Sequence, residues 1–528
     1  MSLRPAAGPV LLTMLAAGCA APPPEYDLVI RHGLVIDGTG ARAFEADVAI
    51  RDGRIAALGD LTAARAPHEI DARGQVVTPG FIDVHTHADA LHEHPLAEHF
   101  ARMGVTTVVA GNCGSSAVDV AEQFRTIADT GVSVNFATLV GHNTVRREVM
   151  GTERRAATPE ELGRMQALVE QAMADGAVGF STGLQYVPGT YAGTDEVVAL
   201  ARVAGARGGI YTSHMRNEGT ELEAAIEEAI AIGDGAGLPV HISHLKVDAP
   251  IRWGASADAL ALIERARARG LAVTADQYVY DAASSSLGIR FPSWVLEGGQ
   301  DAITARLDDA ATWARIRTEM RGLIAERGLT DYAFARIASY GADASLNGLT
   351  IPEAAARVLE ASDLDAQLEM MRRMLRAGGA SMVYQFMSED DIERILRHPQ
   401  VALASDSGLN VLDIGVPHPR GYGNNARALG VYVRERKVIA LEEAVRKMTA
   451  LPAGVFGLAD RGRLTVGAAA DVVIFDPAMV VDRATYEAPH QYPDGISHVL
   501  VNGIAVVRDG VHTEARPGQT LARTTHVP

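Results

Sequence analysis

The middle of this chain switches repeatedly between two periodicities, and that switching limits what it can fold into. Runs rich in valine, isoleucine and threonine ("GVTTVVAG", "VSVNFATLVG", "GAVGFSTGL", "GGIYTSH", "LPVHISHLK") are separated by stretches with helical spacing of apolar residues. "VVTPGFIDVHTH" precedes them, and "LAVTADQYVY" and "VALASDSG" follow, giving eight strand-like runs over ~330 residues. Helix signals fall in the gaps. Thr158-Pro159-Glu160-Glu161 is a capping box with proline at the first helical position, opening a helix to about Ala174. Leu222, Ile226 and Ile230 share one helix face, and Ser388 through Asp391 opens a further helix ahead of the last strand. Strand followed by helix, repeated in this way, predicts a TIM-like (β/α)8 barrel.

The flanks have a different texture. "YDLVIRHGLVIDGTG" and "ADVAIRDGRIAALGD" alternate apolar and polar residues between glycine turns, and "GRLTVGAAADVVIFDP" and "SHVLVNGIAVVRDG" repeat the pattern near the other end. Two β-rich ends predict one small β domain built from both termini. The expected division is 1–25 as a leader, 26–75 and 461–528 as the β domain, and 76–460 as the barrel. From about 286 to 380 no βα unit of barrel length appears, which predicts an insertion after strand seven. Insertions on that side of a barrel lie over the active site.

Composition narrows the function. The formal charge is -17 and there are three lysines, Lys246, Lys437 and Lys447. That balance argues against a nucleic-acid partner, which requires a basic face. The leader "MSLRPAAGPVLLTMLAAGCAAPPPEY" carries an apolar stretch too short to span a bilayer and reads as a secretory signal. "LAAGC" resembles a bacterial lipobox, with Ala16 where leucine is preferred. It predicts an exported, periplasmic protein attached to the membrane through a lipidated Cys19. The one other cysteine, Cys113, is then an unpaired thiol, either inert packing or a ligand or nucleophile.

The strand ends favour the ligand. Strand one ends in His85-Thr86-His87, strand two in Cys113, strand five in His214, strand six in His244 and strand eight in Asp406. In a barrel all strand C-termini meet at one rim, where catalytic residues gather. Alternation along the strand puts His85 and His87 on the same side. Imidazoles, a thiolate and a carboxylate are the donors that hold Zn2+ while leaving a position for water. A thiol nucleophile at Cys113 leaves four histidines unexplained.

"PGFIDVHTHAD" is similar to the opening strand of the amidohydrolase superfamily. Together with it, "GNCG", "YTSHMRNEG", "HISHLKV", "DQYVYDAASSSL", "ASDSG" and "PHPRGYG" resemble the D-aminoacylase (N-acyl-D-amino-acid deacylase) family over about 26–510. The resemblance implies a metal-dependent TIM-like barrel with a small β-sandwich from both termini. It implies that Cys113, His214 and His244 hold a tightly bound zinc, and that His85, His87 and Asp406 line a second, weaker metal position. Relatives in the wider superfamily bridge two metals with a carboxylated lysine on strand four; "GFSTGL" here has none. The implied reaction is hydrolysis of an N-acyl-D-amino acid, or a dipeptide ending in a D-residue, with Asp406 moving the proton. For the substrate carboxylate the sequence offers Lys246, two residues after His244, and Arg420, with Tyr278 and Ser284 at matching family positions. A hydantoinase-type or dihydroorotase-like cyclic-amide hydrolase and a non-catalytic binding protein on the same scaffold are the competing readings.

Overall fold

The computed structural model describes residues 25–523, so the leader with Cys19 lies outside the described residues apart from Glu25. The eight runs form eight strands. They are β1 (Phe81–Asp83), β2 (Val105–Ala110), β3 (Asn135–Thr138, continuing as Val140–Gly141) and β4 (Gly179–Gly183). There follow β5 (Ile210–His214), β6 (Val240–Ile242), β7 (Val273–Gln277) and β8 (Val401–Leu403). Each pairs in parallel with the next. The ring closes above β8 and β1. There Ser407–Gly408 runs parallel to Thr86–His87, and the Asp406 amide donates to the His85 carbonyl at 2.9 Å.

Helices connect the strands on the outside: α1 (Glu98–Arg102), α2 (Val120–Thr130), α3 (Pro159–Ala174), α4 (Thr194–Ala206), α5 (Leu222–Ala236), α6 (Ser256–Ala268) and α7 (Glu389–Arg397). The capping box opens α3 as expected: Thr158 Oγ1 accepts from the Glu161 amide, and the Glu161 carboxylate accepts from the Thr158 amide. Leu222, Ile226 and Ile230 are buried on α5, against the outward faces of the strands. The barrel interior is filled rather than hollow. Ile82, Val84, Val109, Leu139, Val178, Ile210 and Ala404 pack with Ala453 and Phe456 of a helix α8 (Ala450–Phe456).

Both termini feed one continuous nine-stranded sheet. Its core, with Ile30, Val48, Ile55, Val77, Val472 and Leu500, joins strands that are not neighbours in the sheet, so the sheet folds over itself. The boundary expected at 76 moves. Val76–Pro79 pairs with Leu28–Val35 and Val472–Phe475, and the barrel starts at Phe81 beyond Gly80. The sequence run joined the two because Pro79-Gly80 is a short break inside one apolar stretch. The last described residues return to the barrel, where the Phe136 amide donates to the Gln519 carbonyl at 2.9 Å.

The insertion after β7 is wider than 286–380. It is framed by an antiparallel three-stranded sheet of Ala282–Ser286, Ala335–Ser339 and Ser381–Gln385. It has its own apolar core, around Trp313, Ile316, Met320, Tyr332 and Tyr384.

Phe456 is fully buried inside the barrel. Phe456→Ala is expected to remove about 3–5 kcal/mol of stability by leaving a cavity. The readout is a lower apparent melting midpoint, and an unchanged midpoint would contradict the packing described.

Candidate metal centre

The site forms at the C-terminal rim. His85 follows β1 and His87 sits in the short strand that closes the ring, while Cys113 lies in the turn after β2. His214 ends β5, and His244 comes two residues after β6. Asp406 lies between β8 and the closing strand.

The donors converge. Cys113 Sγ lies 3.3 Å from His85 Nε2, 3.5 Å from His244 Nε2 and 3.8 Å from His214 Nδ1. His214 Nδ1 and His244 Nε2 are 2.8 Å apart. Asp406 Oδ1 lies 3.3 Å from His87 Nε2 and 3.5 Å from His85 Nε2. Ligand atoms around a tetrahedral zinc are about 3.3–3.6 Å apart, given bond lengths of about 2.0–2.3 Å. The distances from the sulfur to the imidazoles lie close to that spacing, the two nitrogens of His214 and His244 are closer together than it, and every sequence-predicted ligand is present in the cluster.

The local backbone is built for this placement. Cys113, His244 and Asp406 all have left-handed backbone, with φ of 54°, 36° and 52°. Such conformations cost of order 1–3 kcal/mol each and persist only when their surroundings fix them. At Cys113, Gly111 (φ 76°) tucks so close under β3 that a Cβ there would meet the Leu139 carbonyl oxygen at 2.2 Å. The Asn112 side chain donates to the carbonyls of Val109 at 2.9 Å and Val84 at 3.1 Å, and the Gly114 amide donates to Ser181 Oγ at 3.0 Å. At His244 the amide donates to Asp276 Oδ1 at 2.8 Å, and at Asp406 the amide is taken by His85.

Charge is balanced within the cluster. Burial pushes the Cys113 thiol up, but His85 and His244 outweigh it and hold the thiol well below its usual range, so the sulfur is a thiolate. Burial likewise opposes ionisation of Asp406. Arg420, then His85 and His244, keep it a carboxylate. Arg420 Nη1 lies 2.8 Å from Asp406 Oδ2, and its guanidinium sits 4.4 Å from the centre of the Tyr278 ring.

Lys246 lies past the end of β6 and beyond the left-handed turn at His244. The ammonium nevertheless reaches the site, 2.8 Å from His244 Nδ1, where it donates to Glu218 Oε1 at 2.7 Å. It is therefore a buried, paired cation. Ser284 lines the cleft from the insertion, and Tyr278 lies beneath Arg420.

Several functional residues were not picked out from the sequence. Glu218, four residues after His214, reaches His244 Nδ1 at 2.9 Å. Asp276 on β7 accepts from His85 Nδ1 at 3.2 Å and from His241 Nε2 at 2.8 Å. Gln185 accepts from His214 Nε2 at 2.9 Å, and the Tyr186 ring lies 4.4 Å from the His214 ring. Asp276 ends a barrel strand, so the logic that found Asp406 applied to it equally. Arg290 comes from the insertion, where no periodicity pointed to the site.

The cleft over the cluster is lined by Cys113, Tyr186, His244, Ser284, Arg290 and Asp406, among others. Within it Lys246 pairs with Glu218, Asp406 with Arg420, and Asp248 with Arg327 at 2.6 Å. Arg290 is 6% exposed and, among the described residues, makes no ion pair within 4 Å; its Nε has no hydrogen-bond partner. Its guanidinium lies 4.1 Å from the Tyr384 ring centre and 5.3 Å from that of Phe386.

Comparison with known proteins places this geometry. The pattern of the amidohydrolase family matches residues 68–507. An N-acyl-D-glutamate deacylase of Alcaligenes xylosoxydans xylosoxydans is 40% identical over 526 residues, covering 95% of this chain and 98% of that protein. A crystal structure of D-aminoacylase superposes with a TM-score of 0.82 at 37% identity, covering 94% of this chain and 100% of that one. The N-acyl-D-glutamate deacylase of Bordetella bronchiseptica, solved with zinc and a phosphonate mimic of the tetrahedral intermediate, superposes with a TM-score of 0.80 at 39% identity, covering 94% of this chain and 99% of that one. The chain belongs to the amidohydrolase family, within its group of N-acyl-D-amino-acid deacylases.

Proposed function

We propose that this protein is a zinc-dependent hydrolase that cleaves N-acyl-D-amino acids to a carboxylate and a free D-amino acid, with a preference for acidic side chains. One observation carries the reaction. A thiolate, imidazoles and a carboxylate meet at the barrel rim of a chain that aligns end to end with N-acyl-D-amino-acid deacylases. Cys113, His214 and His244 are the residues that would hold the tight zinc, with His85, His87 and Asp406 at the second position. When bound, zinc supplies Lewis acidity for the scissile carbonyl and for the attacking water.

The chain's own residues supply the rest. Asp406 Oδ2 is anchored by Arg420, which leaves Oδ1, beside His87 and His85, to accept the proton of the water and return it to the departing amine. Lys246 and Arg420 flank Tyr278 and supply positive charge for the α-carboxylate, with Ser284 as a polar contact. Arg290 supports the acidic preference. It is a buried cation in the cleft that, among the described residues, makes no ion pair within 4 Å, so a carboxylate on the substrate side chain would supply one. Cyclic-amide hydrolysis finds no support at β4, which ends Ser181-Thr182-Gly183 with no lysine to bridge two metals. Export and lipid attachment at Cys19 rest on the leader sequence alone.

A panel of N-acetyl-D-amino acids, their L-forms and hydantoins on zinc-loaded protein tests the reading by release of free amine. D-selective release, fastest for glutamate or aspartate, is expected; turnover of hydantoins alone would overturn it. Asp406→Asn is expected to lower kcat by about 100-fold or more while the tight zinc is retained by metal analysis. Arg290→Met is expected to cut kcat/KM for the acidic substrate by about 100-fold and to change that for N-acetyl-D-methionine far less. Equal losses on both substrates would remove Arg290 from the side-chain pocket.

A further inference from the structure

Directly beneath the metal centre a second buried histidine is tied into the barrel. His241 lies on β6, three residues before His244, and is 1% exposed. The parallel register of β6 and β7 sets it opposite Thr274, and His241 Nδ1 lies 2.8 Å from Thr274 Oγ1. The other ring nitrogen, Nε2, lies 2.8 Å from Asp276 Oδ2. A carboxylate only accepts, so Nε2 carries the proton and donates. The edge of the ring packs on Phe456, at 5.3 Å between centroids and 75° between planes.

Asp276 is the hub. Its Oδ2 accepts from both His85 Nδ1 and His241 Nε2, and its Oδ1 accepts from the His244 amide. Three strands, β1, β6 and β7, are thus fastened through one carboxylate at the level of the metal ligands. The bond to His85 Nδ1 orients that ring so that Nε2 faces the cluster, 3.3 Å from Cys113 Sγ. The bond to the His244 amide holds the left-handed turn that aims the His244 ring. Of the three donors on Asp276, His241 is the one that is not itself one of the residues assigned to the metal.

We infer that His241 is a positioning residue: braced by Thr274, it fixes the Asp276 carboxylate in the one rotamer that serves His85 and His244 together. It touches neither substrate nor the ligand atoms. Its effect passes through Asp276 to the orientation of His85 and to the backbone at His244. Without the Nε2 donor, the carboxylate keeps only its contacts with His85 and the His244 amide, and both of these loosen together. The inference rests on the metal-hydrolase reading. Its first test measures zinc without any substrate, so a wrong choice of substrate leaves it standing.

His241→Phe keeps the ring and its packing on Phe456 and deletes the donor. His241→Gln restores an N–H at about the same reach. For His241→Phe, zinc affinity measured by competition with a chromophoric chelator is expected to fall about 10- to 100-fold. In the loaded enzyme kcat is expected to fall over a similar range with KM little changed, the signature of a misaligned reacting centre. The melting midpoint of the metal-free protein is expected to stay near wild type, and His241→Gln is expected to recover most of the zinc affinity. Wild-type zinc affinity in His241→Phe overturns the inference. A loss that follows a lowered metal-free midpoint, and that His241→Gln does not recover, overturns it as well by making the residue merely structural.

Discussion

The hydrogen bond from the Asp406 amide to the His85 carbonyl, 2.9 Å long, joins the end of the last barrel strand to the end of the first. Its partners in sequence are more than three hundred residues apart, and they meet only because eight parallel strands close into a ring. The Asp406 carboxylate then lies beside His87 and His85, while Cys113, His214 and His244 arrive from the intervening strands. A parallel ring puts every strand's C-terminal end on the same rim, and this is what turns scattered residues into one donor set.

The rim also stores strain and charge. Three of the donor residues have left-handed backbone, and each is held there by nearby hydrogen bonds: Asn112 and Gly114 around Cys113, Asp276 at His244, and His85 at Asp406. Burying so many ionisable groups is tolerable because they are matched in sign. Histidines stabilise the Cys113 thiolate, Arg420 the Asp406 carboxylate, and Lys246 the Glu218 carboxylate. Arg290 is the exception in the cleft: among the described residues it makes no ion pair within 4 Å and rests on the rings of Tyr384 and Phe386 instead.

Much of this was legible in the sequence because barrel strands announce themselves by short β-branched runs, and their last residues carry the chemistry. His85, His87, Cys113, His214, His244 and Asp406 could all be read in that way. Asp276 obeys the same rule but was hidden by its ordinary setting in "TADQ", where an acidic residue near the end of a strand is as often a turn former. Glu218 sits in a loop with no periodicity, and its role depends on Lys246 folding back after a left-handed turn that no sequence pattern signals. Arg290 lies in an inserted unit whose position over the cleft is set by tertiary packing alone. The boundary at Gly80 was missed because one apolar run serves two sheets. Strand pairing, not hydrophobicity, divides it.

The most direct test of the metal centre is X-ray absorption at the zinc edge of the loaded protein. The account predicts a sulfur neighbour at about 2.3 Å together with nitrogen and oxygen neighbours near 2.0–2.1 Å, and loss of the sulfur in Cys113→Ser. A first shell made only of nitrogen and oxygen in the wild-type protein would contradict it.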